Sequence, residues 1–279
     1  MKYKVIENFI PPSDCDILIE ESKKHLTKDD FLSILNNRKS ISSSSPYFLS
    51  LLKKSKKWGE LHKKLNSQEF LELIKKELKI EKSYSYKVTS FFFNEKPNIF
   101  LQKYKILNQL KTASLNFKSL LKYISFRLYR NISRIIKYKF TNENYLELLY
   151  DYSISPNGYK REIHRDSDAR TFVFLLYLNN LSKSGEGGEL EIYKYKKDKD
   201  KIPSRPRIED CQMVESISPK PGRLVIFLNS FDSLHGVSEM KNHNEYRYFL
   251  YGSFTLLAKK NIYLNKSSGS LPTDYNLFD

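Results

Sequence analysis

Thr171-Phe172-Val173-Phe174-Leu175-Leu176-Tyr177-Leu178 is the stretch that most restricts how this chain can fold. Rich in β-branched and aromatic residues and without a charge, it reads as a buried strand, closed by Asn179-Asn180. A second apolar run, Leu224-Val225-Ile226-Phe227-Leu228, follows Pro221-Gly222, a pair suited to a turn with φ > 0 at the glycine. A third runs from Arg247 to Thr255. A buried strand rarely opens on an unpaired arginine, so Arg247 implies an anionic partner. Glu189 to Tyr193 alternates and reads as a further strand, and Tyr145 to Ser153 as the first of the set. Short strands separated by Gly/Pro turns from residue 145 onward fit a mainly β core, a jelly-roll or double-stranded β-helix. Helices before residue 140 would buttress one face.

Immediately ahead of the long run stands Glu162-Ile163-His164-Arg165-Asp166. Residues two apart on an extended strand share a face. His164 and Asp166 therefore project together, and Arg165 points away. Asn229 to Val237, after the second apolar run, carries His235. Two imidazoles and a carboxylate leave coordination positions open, the facial triad of non-heme Fe(II) oxygenases. Zinc also accepts three protein ligands plus water, so the triad alone does not choose the metal. A bidentate guanidinium at Arg247 would suit a carboxylate of a co-substrate bound at the open positions. Asp168 is a nearby alternative carboxylate. His243 lies in a polar hairpin, and His25 and His62 lie in helical patterns, so these three are weaker candidates.

In order along the chain, His164-x-Asp166, Phe174-Leu175-Leu176-Tyr177-Leu178-Asn179, Gly187-Gly188-Glu189-Leu190, Pro219-x-x-Gly222-Arg223-Leu224-Val225-Ile226-Phe227, His235-Gly236-Val237 and Arg247 resemble the 2-oxoglutarate and Fe(II)-dependent dioxygenases, in particular their prolyl 4-hydroxylase-like branch. The likeness spans roughly residues 145–257, and Val5 to Pro11 with Cys15-Asp16 resembles the family's opening. It implies that His164, Asp166 and His235 hold Fe(II). It further implies that Arg247, Tyr177 and a tyrosine at position 152 attend 2-oxoglutarate, and that O2 is consumed, with ascorbate as an accessory reductant. Core packing accounts for Tyr152 equally well. The implied reaction is hydroxylation of an unactivated C–H bond, foremost a prolyl or related residue of a peptide or protein. Two departures stand out. Phe249 occupies the place where the family often has serine, two residues after the arginine, and the interval from His235 to Arg247 is long, with Lys241 to Glu245 able to absorb it as a hairpin. Small-molecule or sugar hydroxylation, nucleic-acid demethylation and a non-catalytic jelly-roll binding module remain as alternatives. Ser253, where demethylases usually carry a second arginine, counts against the nucleic-acid reading.

The charge needs weighing because of that last alternative. The chain carries a net +16, which invites a nucleic-acid partner. Abundant Lys, Ile, Asn, Tyr and Phe fit a compositional bias instead. From Lys103 to Lys139 there are ten Lys/Arg and no acid, on an approximately helical apolar pattern. A solvated helix on the catalytic core is preferred there over a membrane- or nucleic-acid-binding helix. Cys15 and Cys211 have no metal or redox spacing, no apolar run approaches a bilayer span, and no signal-peptide core follows Met1, so a cytoplasmic location is expected.

Three regions are expected, integrated as one domain: a mostly helical 1–140 with the basic insert, a catalytic 141–260, and a tail over 261–279. Within the first, Lys2 to Phe9 reads as a strand, Pro11 to Asp14 as a helix start, Ser40 to Ser45 as a loop, Gly59 to Lys79 as helix divided at Asn66-Ser67, and Tyr84 to Phe93 as a strand. Lys194 to Ser216, charged and carrying Pro203 and Pro206, reads as a long surface loop bordering the substrate.

Overall fold

Side chains alternate along the long apolar strand, and the alternation sends its two faces to two different cores. The computed structural model describes residues 1–33, 37–43, 45–80, 86–89, 144–166, 170–181, 185–197 and 202–257. In it the strand spans Arg170–Tyr177. Phe172, Phe174 and Leu176 join a cluster shared with helices, whereas Val173, Leu175 and Tyr177 join one shared with a second sheet. A run apolar on both faces is what a strand between two layers requires.

The strands are β1 (Tyr3–Ile6), β2 (Leu32–Ser33), β3 (Lys39–Ser42), β4 (Tyr86–Thr89), β5 (Asn144–Ser155), β6 (Arg161–His164), β7 (Arg170–Tyr177), β8 (Leu190–Tyr195), β9 (Cys211–Ile217), β10 (Leu224–Leu228), β11 (His235–Val237) and β12 (Arg247–Leu257). The larger sheet has the order β1-β10-β7-β12-β5-β3-β2, with β4 parallel to β5; the smaller is β6-β11-β8-β9. From β5 onward the chain passes back and forth between the sheets. β5, β7, β10 and β12 lie in one, and β6, β8, β9 and β11 in the other. This is a double-stranded β-helix, the jelly-roll expected from the strand pattern.

Pro221-Gly222 makes the predicted turn, with Gly222 at φ 73°. A Cβ there would lie 2.1 Å from the carbonyl oxygen of Ile10, so the turn needs glycine twice over. The N-terminal segments complete the larger sheet: β1 pairs with β10, and β3 with β5. Helices α1 (Pro12–His25), α2 (Pro46–Lys54), α3 (Lys56–Leu65) and α4 (Gln68–Glu77) supply the other side of the first core. Trp58 is fully buried there, its indole N–H donating to the carbonyl of Leu18 at 2.9 Å. Phe70 meets Phe174 edge-on at 5.3 Å. The break at Asn66-Ser67 is present, and Ser67 caps α4 by accepting from the Phe70 amide.

Two expected loops are partly regular structure. Ser40 to Ser45 contains β3 and the cap of α2, where Ser45 accepts from the Tyr47 amide. Both ends of Lys194 to Ser216 are strand: Lys194-Tyr195 closes β8, and Cys211–Ile217, running one residue past the range, is β9 at the edge of the smaller sheet. Its interior residues are exposed, so the strand carries no apolar alternation to read. The expected first strand is shorter, Tyr3–Ile6, and β4 lies inside the expected Tyr84 to Phe93. The basic stretch 103–139, the tail 261–279 and Asp168 lie outside the described residues. Among the described residues no helix is long and apolar enough to cross a membrane.

Candidate functional site

His164 ends β6 and His235 begins β11, and the two strands pair with these residues directly opposite. The register sets the rings 4.4 Å apart. Asp166, two residues past His164 and 7% exposed, completes a group whose ligand atoms all lie within 4.8 Å of one another. Its Oδ2 is 3.9 Å from His235 Nε2.

The hydrogen bonds orient all three. His164 Nδ1 lies 2.9 Å from the carbonyl of Glu162, and His235 Nδ1 lies 3.0 Å from that of Ser233. A carbonyl only accepts, so each Nδ1 carries the proton and each Nε2 presents a lone pair. Burial lowers the pKa of His164 to about 3, with His235 and Arg161 adding to the effect. Burial lowers His235 as well, despite Asp166. Asp166 is opposed by burial, yet Arg170, His235 and the Tyr251 hydroxyl hold it below the usual carboxylate range. Arg170 Nη1 donates to Oδ1 at 2.6 Å, and Tyr251 OH donates to Oδ1 and Oδ2 at 2.8 and 2.9 Å. Two neutral imidazoles and an ionised carboxylate are thus ready at neutral pH, a donor set that fits a divalent iron.

The site opens into a cavity of about 140 Å³ between the sheets. Arg247 and Phe249 from β12 line it, with Leu175 from β7 and Leu190 from β8. Arg247 is fully buried. Its Nη2 donates to Tyr177 OH at 3.2 Å, and its Nε and Nη1 have no hydrogen-bond partner among the described residues. Buried guanidinium donors without partners are costly, so the arrangement fits an incoming carboxylate. Phe249 lies beneath the guanidinium, 4.5 Å from ring centre to Cζ. The departure from serine at this position therefore supplies a stacking face. Ser155, opposite Arg247 in register, also has an unpartnered buried hydroxyl among the described residues.

Tyr152 is placed elsewhere. It is fully buried in the helix-side core, bonded to Ser22 Oγ at 2.7 Å and packed on Trp58. Strand parity is the reason: on β5, Leu148, Tyr150 and Tyr152 face the helices. His243 stands apart as well, with Nε2 on the carbonyl of Glu186. Five polar or charged cavity residues escaped sequence reasoning: Tyr159, Tyr251, Arg170, Arg161 and Arg38. Tyr251 had a signal, since it is four past Arg247 on one strand and so shares its face. Arg38 had none, because only the fold brings β3 to this region.

Residues 149–254 match the family described as the 2OG-Fe(II) oxygenase superfamily. No curated protein matches the sequence. Among solved structures, a Pseudomonas putida prolyl-4-hydroxylase is similar at 14% identity and TM-score 0.40, over 91% of this chain and 92% of that one. A Phytophthora capsici prolyl 4-hydroxylase gives 18% and 0.46, over 91% and 58%. The viral collagen prolyl hydroxylase of Paramecium Bursaria Chlorella virus-1, in its 2OG complex, gives 14% and 0.39, over 93% and 97%.

Proposed function

We propose, from the match of residues 149–254 to the 2OG-Fe(II) oxygenase superfamily, that this chain is a dioxygenase that hydroxylates a prolyl or related residue of a peptide or protein. In this reading His164, Asp166 and His235 hold the iron, and Arg247 with Tyr177 holds the far carboxylate of 2-oxoglutarate. The observation that carries it is the joining of two features in one cavity: the three ligand atoms within 4.8 Å, and the unpaired buried donors of Arg247. The prolyl substrate rests on the resemblance of the ordered motifs to the prolyl 4-hydroxylase-like branch.

Iron and 2-oxoglutarate, when bound, supply the oxidising chemistry: one oxygen atom of O2 enters the substrate C–H bond, the other enters succinate, and CO2 leaves. The chain's own residues orient and exclude. The carbonyls of Glu162 and Ser233 hold both imidazoles in the tautomer with an unprotonated Nε2. Arg170 and Tyr251 keep Asp166 ionised and fix its plane. Tyr177 fixes the Arg247 fork, and Leu175, Leu190 and Phe249 keep that end of the cavity dry.

The test is succinate release from 2-oxoglutarate after anaerobic Fe(II) loading and admission of O2, with and without proline-containing peptides. Wild type should form succinate and add one oxygen atom to a prolyl peptide, while His164→Ala should do neither. Succinate formation that survives His164→Ala would contradict the assignment of the iron ligands. Succinate formation with no peptide oxidised would count against the prolyl substrate.

A further inference from the structure

Resting on that peptide-hydroxylase reading, we propose that Arg38 and Arg161 select a substrate peptide bearing an acidic side chain next to the residue to be hydroxylated. The warrant is a charge surplus that the cofactors do not absorb. Among the described residues four arginines line the cavity, Arg38, Arg161, Arg170 and Arg247, against one carboxylate, Asp166. A divalent metal and a dicarboxylate would cancel each other, leaving that surplus in place.

Two of the four arginines have an occupation. Arg170 is spent on Asp166 and Tyr251. Arg247, fully buried at the floor, answers the dicarboxylate. The other two approach from opposite sheets. Arg38 precedes β3 of the larger sheet, its guanidinium 5.7 Å from the centre of the Tyr251 ring. Its Nε is buried and has no hydrogen-bond partner among the described residues. Arg161 opens β6 of the smaller sheet, and its Nε donates a long 3.4 Å bond to His164 Nε2. That is the lone pair an iron would take, so metal binding frees the guanidinium. Neither arginine forms a salt bridge with a carboxylate among the described residues.

Two guanidinium groups beside a dication, with no carboxylate partner among the described residues, are electrostatically unfavourable. An anion arriving with the substrate reverses the sign of that interaction. Guanidinium forks match carboxylates best, which makes Asp or Glu beside the target residue the fitting partner. Such pairs act on encounter and selectivity, and they weaken with salt.

The experiment uses the full chain loaded with Fe(II) and 2-oxoglutarate without O2. Calorimetry then compares matched prolyl peptides that differ only in Asp/Glu or Asn/Gln beside the proline. The acidic member of each pair should bind about tenfold more tightly at low salt, with the gap closing as salt is added. Arg38→Gln and Arg161→Gln should each narrow the gap, and Arg38→Lys should keep part of it, with circular dichroism verifying the fold of each. Equal binding of the pairs, an acidic preference untouched by both variants, or no peptide binding at all would overturn the proposal. Succinate formation by the same preparation reads the oxygenase chemistry separately, and oxidation of the neutral peptides reads the prolyl-hydroxylase assignment. Either can therefore stand when this inference fails.

Discussion

At the scale of single residues, the site depends on which atoms are already occupied by the chain. Asp166 accepts from Arg170 and Tyr251, whereas Arg247 holds donors in reserve. Tyr251→Phe removes a hydrogen bond from the carboxylate proposed as an iron ligand. It should weaken Fe(II) affinity by about tenfold or more while leaving the fold intact, read by metal titration. Arg247→Met acts differently. Replacing a buried, unpaired guanidinium by an apolar side chain should leave the ligand-free protein as stable or more so. The same change should erase the rise in Tm that 2-oxoglutarate and metal give the wild type. Thermal scans check both, and a ligand-free loss of Tm with the ligand shift intact would contradict the assignment. The meeting of His164, Asp166, His235 and Arg247 at one cavity, with Tyr177 on the Arg247 guanidinium, was legible because each stands in or near an apolar strand. Tyr152, suggested for the 2-oxoglutarate by family resemblance, follows the other reading, core packing, because its parity on β5 turns it to the helices. Arg161 and Arg170 were not legible, since nothing in a sequence distinguishes a cavity arginine from a surface one.

At the scale of elements, β12 organises the site. Its odd-numbered residues Arg247, Phe249 and Tyr251 line the cavity, while Leu250 and Phe254 face the helices. Gly252, between them, is pressed by Phe174: a Cβ would lie 2.2 Å from its ring. Gly252→Val should therefore cost on the order of 1–3 kcal/mol, measured as a lower urea midpoint. It should also impair 2-oxoglutarate binding, because the strand that moves carries Arg247. Apolar runs such as β7 and β10 declare themselves in sequence, since burial on both faces leaves no room for polar residues. β9 does not, because pairing with β8 through its backbone asks little of exposed side chains.

At the scale of the whole molecule, the helical layer and the jelly-roll share one core, and a titrating group records it. His62 of α3, half-buried against Tyr150 of β5, has its pKa lowered by burial from 6.5 to about 4. The unfolded chain thus binds the proton more readily than the folded one. The corresponding stability is present above about pH 6.5 and is lost as pH falls through about 4. Urea unfolding from pH 7 to 4 should show a shallower decline for His62→Gln than for wild type; parallel declines would contradict it. The basic character of the chain, +16 overall, speaks to association and solubility rather than to the reaction.

The most direct measurement is anaerobic calorimetry of 2-oxoglutarate with wild type, His164→Ala and Arg247→Met, each with and without Fe(II). The expected result is tight binding only when iron, His164 and Arg247 are all present, because in the proposed arrangement the metal and the guanidinium would grip opposite ends of one ligand. Binding of 2-oxoglutarate that is indifferent to iron, or that survives loss of His164, would contradict a metal-dependent 2-oxoglutarate site in this cavity.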